Sequence, residues 1–117
     1  MLRYKDLTPD QKKFICNGCG GKGGWVKPPN FLFRASCNHH DFLYYRGMTD
    51  EDRQVADDSF YKWMKKDVAE AAWYKRLHYG IWAYVYYKAV VISGKKYFSY
   101  RDNYATIEQL KQEMSSD

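Results

Sequence analysis

The sequence has few features of an exported or membrane-spanning chain. The segment from Met1 to Asp6 contains no apolar run. We therefore expect neither a secretory signal nor a transmembrane segment, and a location that is cytoplasmic or reached by a non-classical export route. Cysteine is also scarce, with 3 in 117 residues, and an odd number cannot all pair within one chain. We expect reduced thiols and exclude a disulfide-rich scaffold.

The abundant residues are basic and aromatic. Lys and Arg number 19 against 14 Asp and Glu, which gives a net charge of +5, and 19% of the chain is Phe, Trp or Tyr. A basic, aromatic surface suits an anionic partner such as anionic lipid, nucleic acid or an acidic protein. A chain of 117 residues has room for one domain with a single modest core.

Helix start and stop signals divide the chain into helices joined by short connections. Thr8 and Thr49 each have the pattern of a helix N-cap, and Gly47 suits the position just after a helix. We predict helices over about Pro9 to Cys16, about Phe31 to Arg46, from Thr49 onward, over much of 68–93, and over Ile107 to Met114. The fold class is therefore all-α, with one domain over 1–117, a core over about 9–94 and a C-terminal extension over 95–117.

The third long helix is predicted from apolar residues at steps of four and three, namely Trp73, Leu77, Ile81, Val85, Ala89 and Ile92. Ser93-Gly94 is expected to end this helix. We expect Trp63, Trp73 and Trp82 to lie mainly in the core. Trp25 lies in a glycine-rich loop and is the best candidate for lipid contact.

The connection after Arg46 is so short that the two flanking helices should form an antiparallel hairpin. With the turn near Met48, His40 lies eight residues before it and Asp57 nine after it. The two residues therefore lie opposite each other along the hairpin axis. Asp57 also shares a helical face with Phe60 and Met64, which indicates that it points inward. A buried carboxylate that holds one imidazole nitrogen leaves the other free to take a proton from water. The same contact can equally be a structural hydrogen bond.

Two metal sites are compatible with the residues near His40. Asp41 and the backbone carbonyls of a loop with five glycines in the eight residues 17–24 suit Ca²⁺, which prefers oxygen ligands. Alternatively, Cys16-x2-Cys19 and Cys37-x2-His40 have the spacing of a zinc site with Cys16, Cys19, Cys37 and His40 as ligands. The second site would make the protein a zinc-stabilised module that binds nucleic acid or protein. The spacing alone leaves both hypotheses open.

The segment Cys37-x2-His40-Asp41-x2-Tyr44 resembles the Cys-x-x-His-Asp-x-x-Tyr active-site helix of the phospholipase A₂ superfamily. Gly21-Lys22-Gly23-Gly24 and Pro28 resemble the glycine-rich calcium loop of that superfamily. The runs 56–61, 82–84 and 87–90 are similar to its small bacterial and fungal branch, and the resemblance covers about residues 16–93. It implies a small three-helix domain with a central antiparallel hairpin, a glycine-rich loop before it and short terminal helices.

The resemblance also implies a reaction, the Ca²⁺-dependent cleavage of the sn-2 ester of glycerophospholipids at an anionic membrane surface. By this resemblance His40 would deprotonate a water molecule, Asp57 would orient His40, and Tyr44 would hydrogen-bond Asp57. Such a function argues against a nucleic-acid partner. A catalytically inactive descendant that binds calcium or lipid is a further hypothesis.

The calcium ligands implied by the resemblance are Asp41 and the carbonyls of Cys19, Gly21 and Gly23, and the N–H of Gly21 would stabilise the oxyanion. In an oxidising compartment, Cys19 or Cys16 would pair with Cys37. No role is assigned to His39 beyond packing or solvation.

Overall fold

A computed structural model of the protein describes residues 2–16 and 30–116. These ranges contain α-helices and no strands, so the all-α prediction is confirmed. The five helices are α1 (Pro9–Ile15), α2 (Asn30–Arg46), α3 (Asp50–Ala69), α4 (Arg76–Tyr97) and α5 (Ile107–Ser115), and short 3₁₀ turns lie at Tyr4–Asp6 and Trp73–Lys75. Within the described ranges, none of these helices is long and apolar enough to cross a membrane.

Side-chain caps fix where three of the helices begin. Thr8 accepts a hydrogen bond from the N–H of Gln11 at 3.2 Å, and the Gln11 side chain accepts one from the N–H of Thr8 at 2.9 Å. Thr49 and Asp52 form the same reciprocal pair at the start of α3. The hydroxyl of Thr106 caps α5. Each cap provides a partner for N–H groups that the first turn leaves unbonded.

Helices α2 and α3 form the expected antiparallel hairpin. Gly47 ends α2 with a φ of +84°, a left-handed conformation that glycine adopts without strain. A Cβ at this position would also lie 2.8 Å from the carbonyl oxygen of Ser99. Along the hairpin, His40 lies opposite Asp57, and Ser36, one turn earlier in α2, donates to Asp67 at 2.7 Å. The order of these contacts fixes the antiparallel register.

Helix α2 contributes to all three buried apolar clusters. Its residues Phe33 and Cys37 pack with α3 and α4, Phe42 packs with the N-terminal segment and α5, and Tyr44 packs with Ala56 and Phe98. A helix that is surrounded in this way places its side chains accurately, because the neighbours restrict both its position and its rotation.

The C-terminal segment closes the end of α2. The N–H groups of Ser99 and Ala105 donate to the carbonyls of Tyr44 and Arg46 at 3.1 and 3.0 Å, and Arg101 Nε donates to the Tyr45 carbonyl at 2.9 Å. These carbonyls are among those that a helix leaves without an internal partner at its C-terminal end. Beyond this segment, the α5 residue Leu110 is fully buried.

The buried residues therefore extend beyond the expected core of 9–94. They include Leu2, Leu7, Phe98, Ala105 and Leu110. Within residues 95–116, Phe98, Ala105 and Leu110 pack into the interior.

Helix α4 differs most from its prediction. It begins at Arg76 after a break near Ala71 and continues through Ser93-Gly94 to Tyr97. The expected apolar stripe faces outward, with Leu77 79% and Ile92 83% exposed. The face that packs on α3 carries Tyr79, Ala83, Tyr86 and Gly94 instead.

The periodicity predicted the helix but not which face is buried, because α4 is apolar on both sides and helical periodicity cannot choose between two apolar faces. The prediction of a core tryptophan was wrong at Trp73, which lies in the 3₁₀ turn before α4 and is 79% exposed. Trp63 and Trp82 are half-buried. Trp25 lies outside the described residues.

Two glycines of α4 allow a matched test of its packing. A Cβ on Gly94 would lie 2.5 Å from the Tyr44 hydroxyl oxygen, whereas a Cβ on Gly80 would meet nothing within 4 Å. We expect Gly94→Ala to lower the free energy of unfolding by about 1–3 kcal/mol, because Tyr44 or α4 must move. Gly80→Ala should raise it by about 0.5–1 kcal/mol, since alanine favours the helix interior.

The measurement is urea unfolding of both variants and the unchanged protein, followed by circular dichroism. Equal stability of the two variants would contradict the close approach of α4 to Tyr44.

Candidate active site

The hairpin brings a histidine and an aspartate together in the interior. His40 Nε2 lies 2.8 Å from Asp57 Oδ1, and the two residues are only 4% and 2% exposed. The neighbouring Asp58 is exposed, as the helical face of Asp57 predicted. Because a carboxylate accepts hydrogen bonds, the Nε2 atom carries the proton in this pair. The contact predicted from the hairpin register is therefore present.

Tyr44 is the second hydrogen-bond donor to Asp57. Its hydroxyl donates to the same Oδ1 atom at 2.5 Å, and its ring centroid lies 4.1 Å from that of His40. Burial, together with this bond to a carboxylate, raises the pKa of Tyr44 well above its ordinary value. The hydroxyl therefore stays protonated and remains a donor.

Arg53 is a third neighbour of Asp57 that the sequence analysis missed. Its Nη1 lies 3.7 Å from Asp57 Oδ2, and its Nε lies 3.4 Å from Asp50 Oδ1. The residue is 7% exposed, so its charge lies within the protein next to the carboxylate. The signal available in the sequence was the spacing of four between Arg53 and Asp57 on one helix.

The imidazole of His40 is held between aromatic rings. Its centroid lies 4.1 Å from the Tyr44 ring and 4.6 Å from the Phe60 ring. Its Nδ1 atom forms no hydrogen bond with a residue in 2–16 or 30–116, whereas Nε2 is bonded to Asp57. An imidazole fixed in this tautomer presents Nδ1 as an acceptor, so the pair has the chemical form of a general base and its orienting carboxylate.

Of the expected calcium ligands, Asp41 is the one that lies within the described residues. This residue follows His40 on α2, is half-buried, and lies near enough to Cys16 to raise the pKa of its thiol. The other expected ligands, Cys19, Gly21 and Gly23, and the expected oxyanion donor Gly21 lie outside the described residues. One carboxylate supplies at most two of the six to eight oxygens that Ca²⁺ takes.

The zinc site is not assembled by the described residues. Cys37 is disulfide-bonded, so it offers no thiolate, and His40 Nε2 is bonded to Asp57. The Cys16 thiol donates to the Asn38 carbonyl at 3.3 Å. Within the described ranges, no three His, Cys, Asp or Glu side chains are grouped to hold a metal ion. Cys19 lies outside these ranges.

Of the two cysteines that the structure describes, Cys37 differs from the expectation. Cys16 is a free cysteine, as expected of a reduced chain, but Cys37 is part of a disulfide. The expectation of reduced thiols was therefore wrong for Cys37. An odd count of cysteines excludes full pairing but does not exclude one bond.

His39 has a packing role. Its ring centroid lies 4.3 Å from that of Tyr4 and 5.4 Å from that of Trp63. Burial, and secondarily the charge of Lys12, lower the pKa of His39. The two adjacent histidines thus differ in environment, since His40 contacts a carboxylate and His39 packs between aromatic rings.

Two buried tyrosines provide a matched test of the Asp57 hydrogen bond. Tyr44 donates to Asp57, whereas the buried hydroxyl of Tyr86 has no partner among the described residues. We expect Tyr44→Phe to lower the free energy of unfolding by about 1.5–3 kcal/mol, because the carboxylate loses a donor. Tyr86→Phe should leave stability unchanged or raise it, since it removes an unpaired buried hydroxyl.

Both free energies are measured by urea unfolding at neutral pH. The Asp57 hydrogen bond would be of no structural importance if the two phenylalanine variants were equally stable.

The free thiol provides a test that depends on pH. Burial, with the Asp41 charge second, raises the pKa of Cys16 to about 12. We expect iodoacetamide at pH 8 to label Cys16 at least about tenfold more slowly in the folded than in the unfolded protein, because the thiolate is the nucleophile. Since the folded state disfavours ionisation, stability should fall as the pH rises from about 9 towards 12.

Mass spectrometry of peptides measures both cysteines. The peptide with Cys37 should be alkylated only after reduction, and Cys16→Ser should remove the pH-dependent label. Rapid labelling of folded protein at pH 8 would contradict the burial of the thiol.

Comparison with known proteins identifies no relative. No protein-family model, no curated protein sequence and no solved structure matches this chain. The functional inference therefore rests on the residues of the chain, their geometry in α2 and α3, and the resemblance of their motif to the phospholipase A₂ active-site helix.

Proposed function

We propose that the protein is a Ca²⁺-dependent, phospholipase A₂-like hydrolase that cleaves the sn-2 ester of glycerophospholipids. The observation that carries the proposal is the buried bond between His40 Nε2 and Asp57 Oδ1, with Nδ1 not bonded to any described residue. The hydrogen bond from Tyr44 to Asp57 adds support, because the motif resemblance implies that contact.

The reaction begins with the removal of a proton from water by His40 Nδ1. The water oxygen attacks the ester carbonyl carbon as its O–H bond breaks, and the imidazole becomes positively charged. The Asp57 carboxylate, 2.8 Å from Nε2, stabilises that charge and keeps the ring oriented. The ester C–O bond then breaks, and the proton on Nδ1 passes to the leaving alkoxide.

Tyr44 and Arg53 act through Asp57 rather than on the substrate. Tyr44 donates to Oδ1, and the Arg53 guanidinium lies near Oδ2. With both oxygens engaged, the carboxylate cannot rotate away from the imidazole without losing a charge-assisted contact. These two side chains are positioning residues for the general base.

Ca²⁺ is the proposed cofactor. Asp41 is the described side chain that would hold it, with the carbonyls of Cys19, Gly21 and Gly23 as the further proposed ligands and the Gly21 N–H as the proposed oxyanion donor. When bound, the cation would polarise the ester carbonyl and stabilise the negative charge that develops on its oxygen.

The activity test uses vesicles of phosphatidylglycerol with a labelled sn-2 acyl chain. The protein should release the labelled fatty acid with Ca²⁺ and stop when the cation is chelated. His40→Ala should lower the rate by about 10²–10⁴-fold, the usual contribution of a general base. His39→Gln is the matched control, since it changes the adjacent imidazole that packs between Tyr4 and Trp63, and it should retain activity.

Three outcomes contradict the proposed function. If His40→Ala released fatty acid as fast as the unchanged protein, the proposed mechanism would be excluded. Vesicle binding without hydrolysis would favour an inactive lipid-binding descendant. Stoichiometric zinc in the purified protein, lost together with the fold in Cys16→Ser, would favour the zinc-stabilised binding module.

A further inference from the structure

Helix α4 has a second apolar face that nothing in the described structure covers. Its inner residues, such as Ala83 and Tyr86, are buried against α3. On the opposite side, Leu77, Ile81 and Ile92 are 79%, 57% and 83% exposed. At about 100° per residue these three positions fall within an arc of about 60°, so they form one continuous stripe.

The 3₁₀ turn before α4 enlarges this stripe. Trp73 and Tyr74 are 79% and 66% exposed, and their rings contact each other with centroids 5.8 Å apart. We name the outer α4 surface as Trp73, Tyr74, Leu77, Ile81, Tyr84 and Ile92. Exposed residues of this size rarely cluster on a protein surface that has no partner.

The charged residues of α4 and its flanking segments are all basic, and Asp58 of α3 accepts a hydrogen bond from the Tyr87 hydroxyl at 3.2 Å beside them. Residues 71–101 contain no Asp or Glu and six basic residues, namely Lys75, Arg76, Lys88, Lys95, Lys96 and Arg101. Lys75 Nζ lies 5.8 Å from the Tyr74 ring centroid, and Lys88 Nζ lies 5.6 Å from that of Tyr84. Cations therefore lie at both ends of the exposed apolar stripe and, at Lys88, within it.

This charge pattern disfavours a second copy of the chain as the occupant. In a two-fold dimer the same surface meets itself. Lys75 and Arg76 lie at one end of α4, Lys88 in its middle and Lys95 at the other end, so positive groups would face positive groups in either orientation. The surface has no acidic residue to balance them.

A nucleic acid would satisfy the cations but not the apolar stripe. Leu77, Ile81 and Ile92 are aliphatic and cannot stack on bases as aromatic rings do. An anionic bilayer satisfies both: aliphatic groups enter the acyl region, Trp and Tyr suit the headgroup boundary, and lysines reach the phosphates.

We propose that the outer α4 surface docks the protein on bilayers that contain anionic phospholipid, with α4 lying parallel to the membrane plane. The binding does not depend on the proposed hydrolysis, because no residue of the surface contacts His40 or Asp57. Helix α4 then has two roles, one face packing on the α3 helix that carries Asp57 and the other contacting lipid.

The test measures vesicle binding in the His40→Ala background with Ca²⁺ chelated, so that lipid is not consumed. The vesicles contain phosphatidylcholine alone or phosphatidylcholine with phosphatidylglycerol, and bound protein is separated by flotation. The combined change Leu77→Asp and Ile81→Asp should lower partitioning to the anionic vesicles at least about tenfold. Val55→Asp is the matched control, because Val55 is also apolar and 62% exposed but lies on α3.

A charge variant distinguishes docking on anionic lipid from nonspecific hydrophobic binding. Lys88→Glu should weaken binding to phosphatidylglycerol vesicles about fivefold or more and have little effect on phosphatidylcholine vesicles. Since Leu77, Ile81, Val55 and Lys88 are exposed, circular dichroism of these variants should match that of the His40→Ala protein from which they are made.

Equal vesicle binding by the double-Asp variant and Val55→Asp would overturn the proposal. So would a dimer of the unchanged protein that the double-Asp variant dissociates in sedimentation equilibrium. Binding to a single-stranded oligonucleotide that is lost in Lys88→Glu, without any vesicle binding, would assign the surface to nucleic acid instead.

Discussion

The burial of the Asp57 carboxylate is the constraint on which the centre of the structure depends. At 2% exposure it can remain charged only if protein groups replace the water that it loses. His40 and Tyr44 from α2 donate to one oxygen, and Arg53 from α3 itself lies near the other. Because His40 and Tyr44 lie on α2 and Asp57 lies on α3, a slip of one helix along the other would break both hydrogen bonds and leave only Arg53 near the carboxylate. The polar site and the helix register therefore stabilise each other.

Helix α2 can supply these donors accurately because the rest of the chain surrounds it. The N-terminal segment and α5 pack on Phe42, helices α3 and α4 pack on Phe33, and the C-terminal segment bonds the carbonyls of Tyr44, Tyr45 and Arg46. Residues 95–116, which have no counterpart in the resemblance, thus hold the end of the helix that carries the motif. A general base needs this restraint, since a ring that can rotate loses the alignment of its nitrogen with the water that it deprotonates.

The sequence predicted the helix boundaries and the turn, which depend on short-range interactions. The caps at Thr8, Thr49 and Thr106 and the turn at Gly47 follow from short-range hydrogen bonding and backbone geometry, and the short connection then placed His40 opposite Asp57. The outward face of α4 could not be predicted in this way, because both its faces are apolar and only tertiary packing selects one. Arg53 was missed for a related reason, since a basic residue on a helix is usually exposed, and its burial depends on how α4 packs beside it at Gly94.

The choice between the two faces of α4 follows from size. The inner face carries Ala83 and Gly94, and at Gly94 a single added carbon would lie 2.5 Å from the Tyr44 hydroxyl. Only this face lets α4 approach the hairpin closely enough to enclose Tyr44 and Arg53. If Ile92 faced inward in place of Gly94, its side chain would hold this end of α4 away from Tyr44, so close packing at the site leaves Ile92 on the surface. The exposure of this end of the apolar stripe thus follows from the way in which α4 encloses Tyr44 and Arg53, and the nearby lysines make the stripe suited to an anionic bilayer.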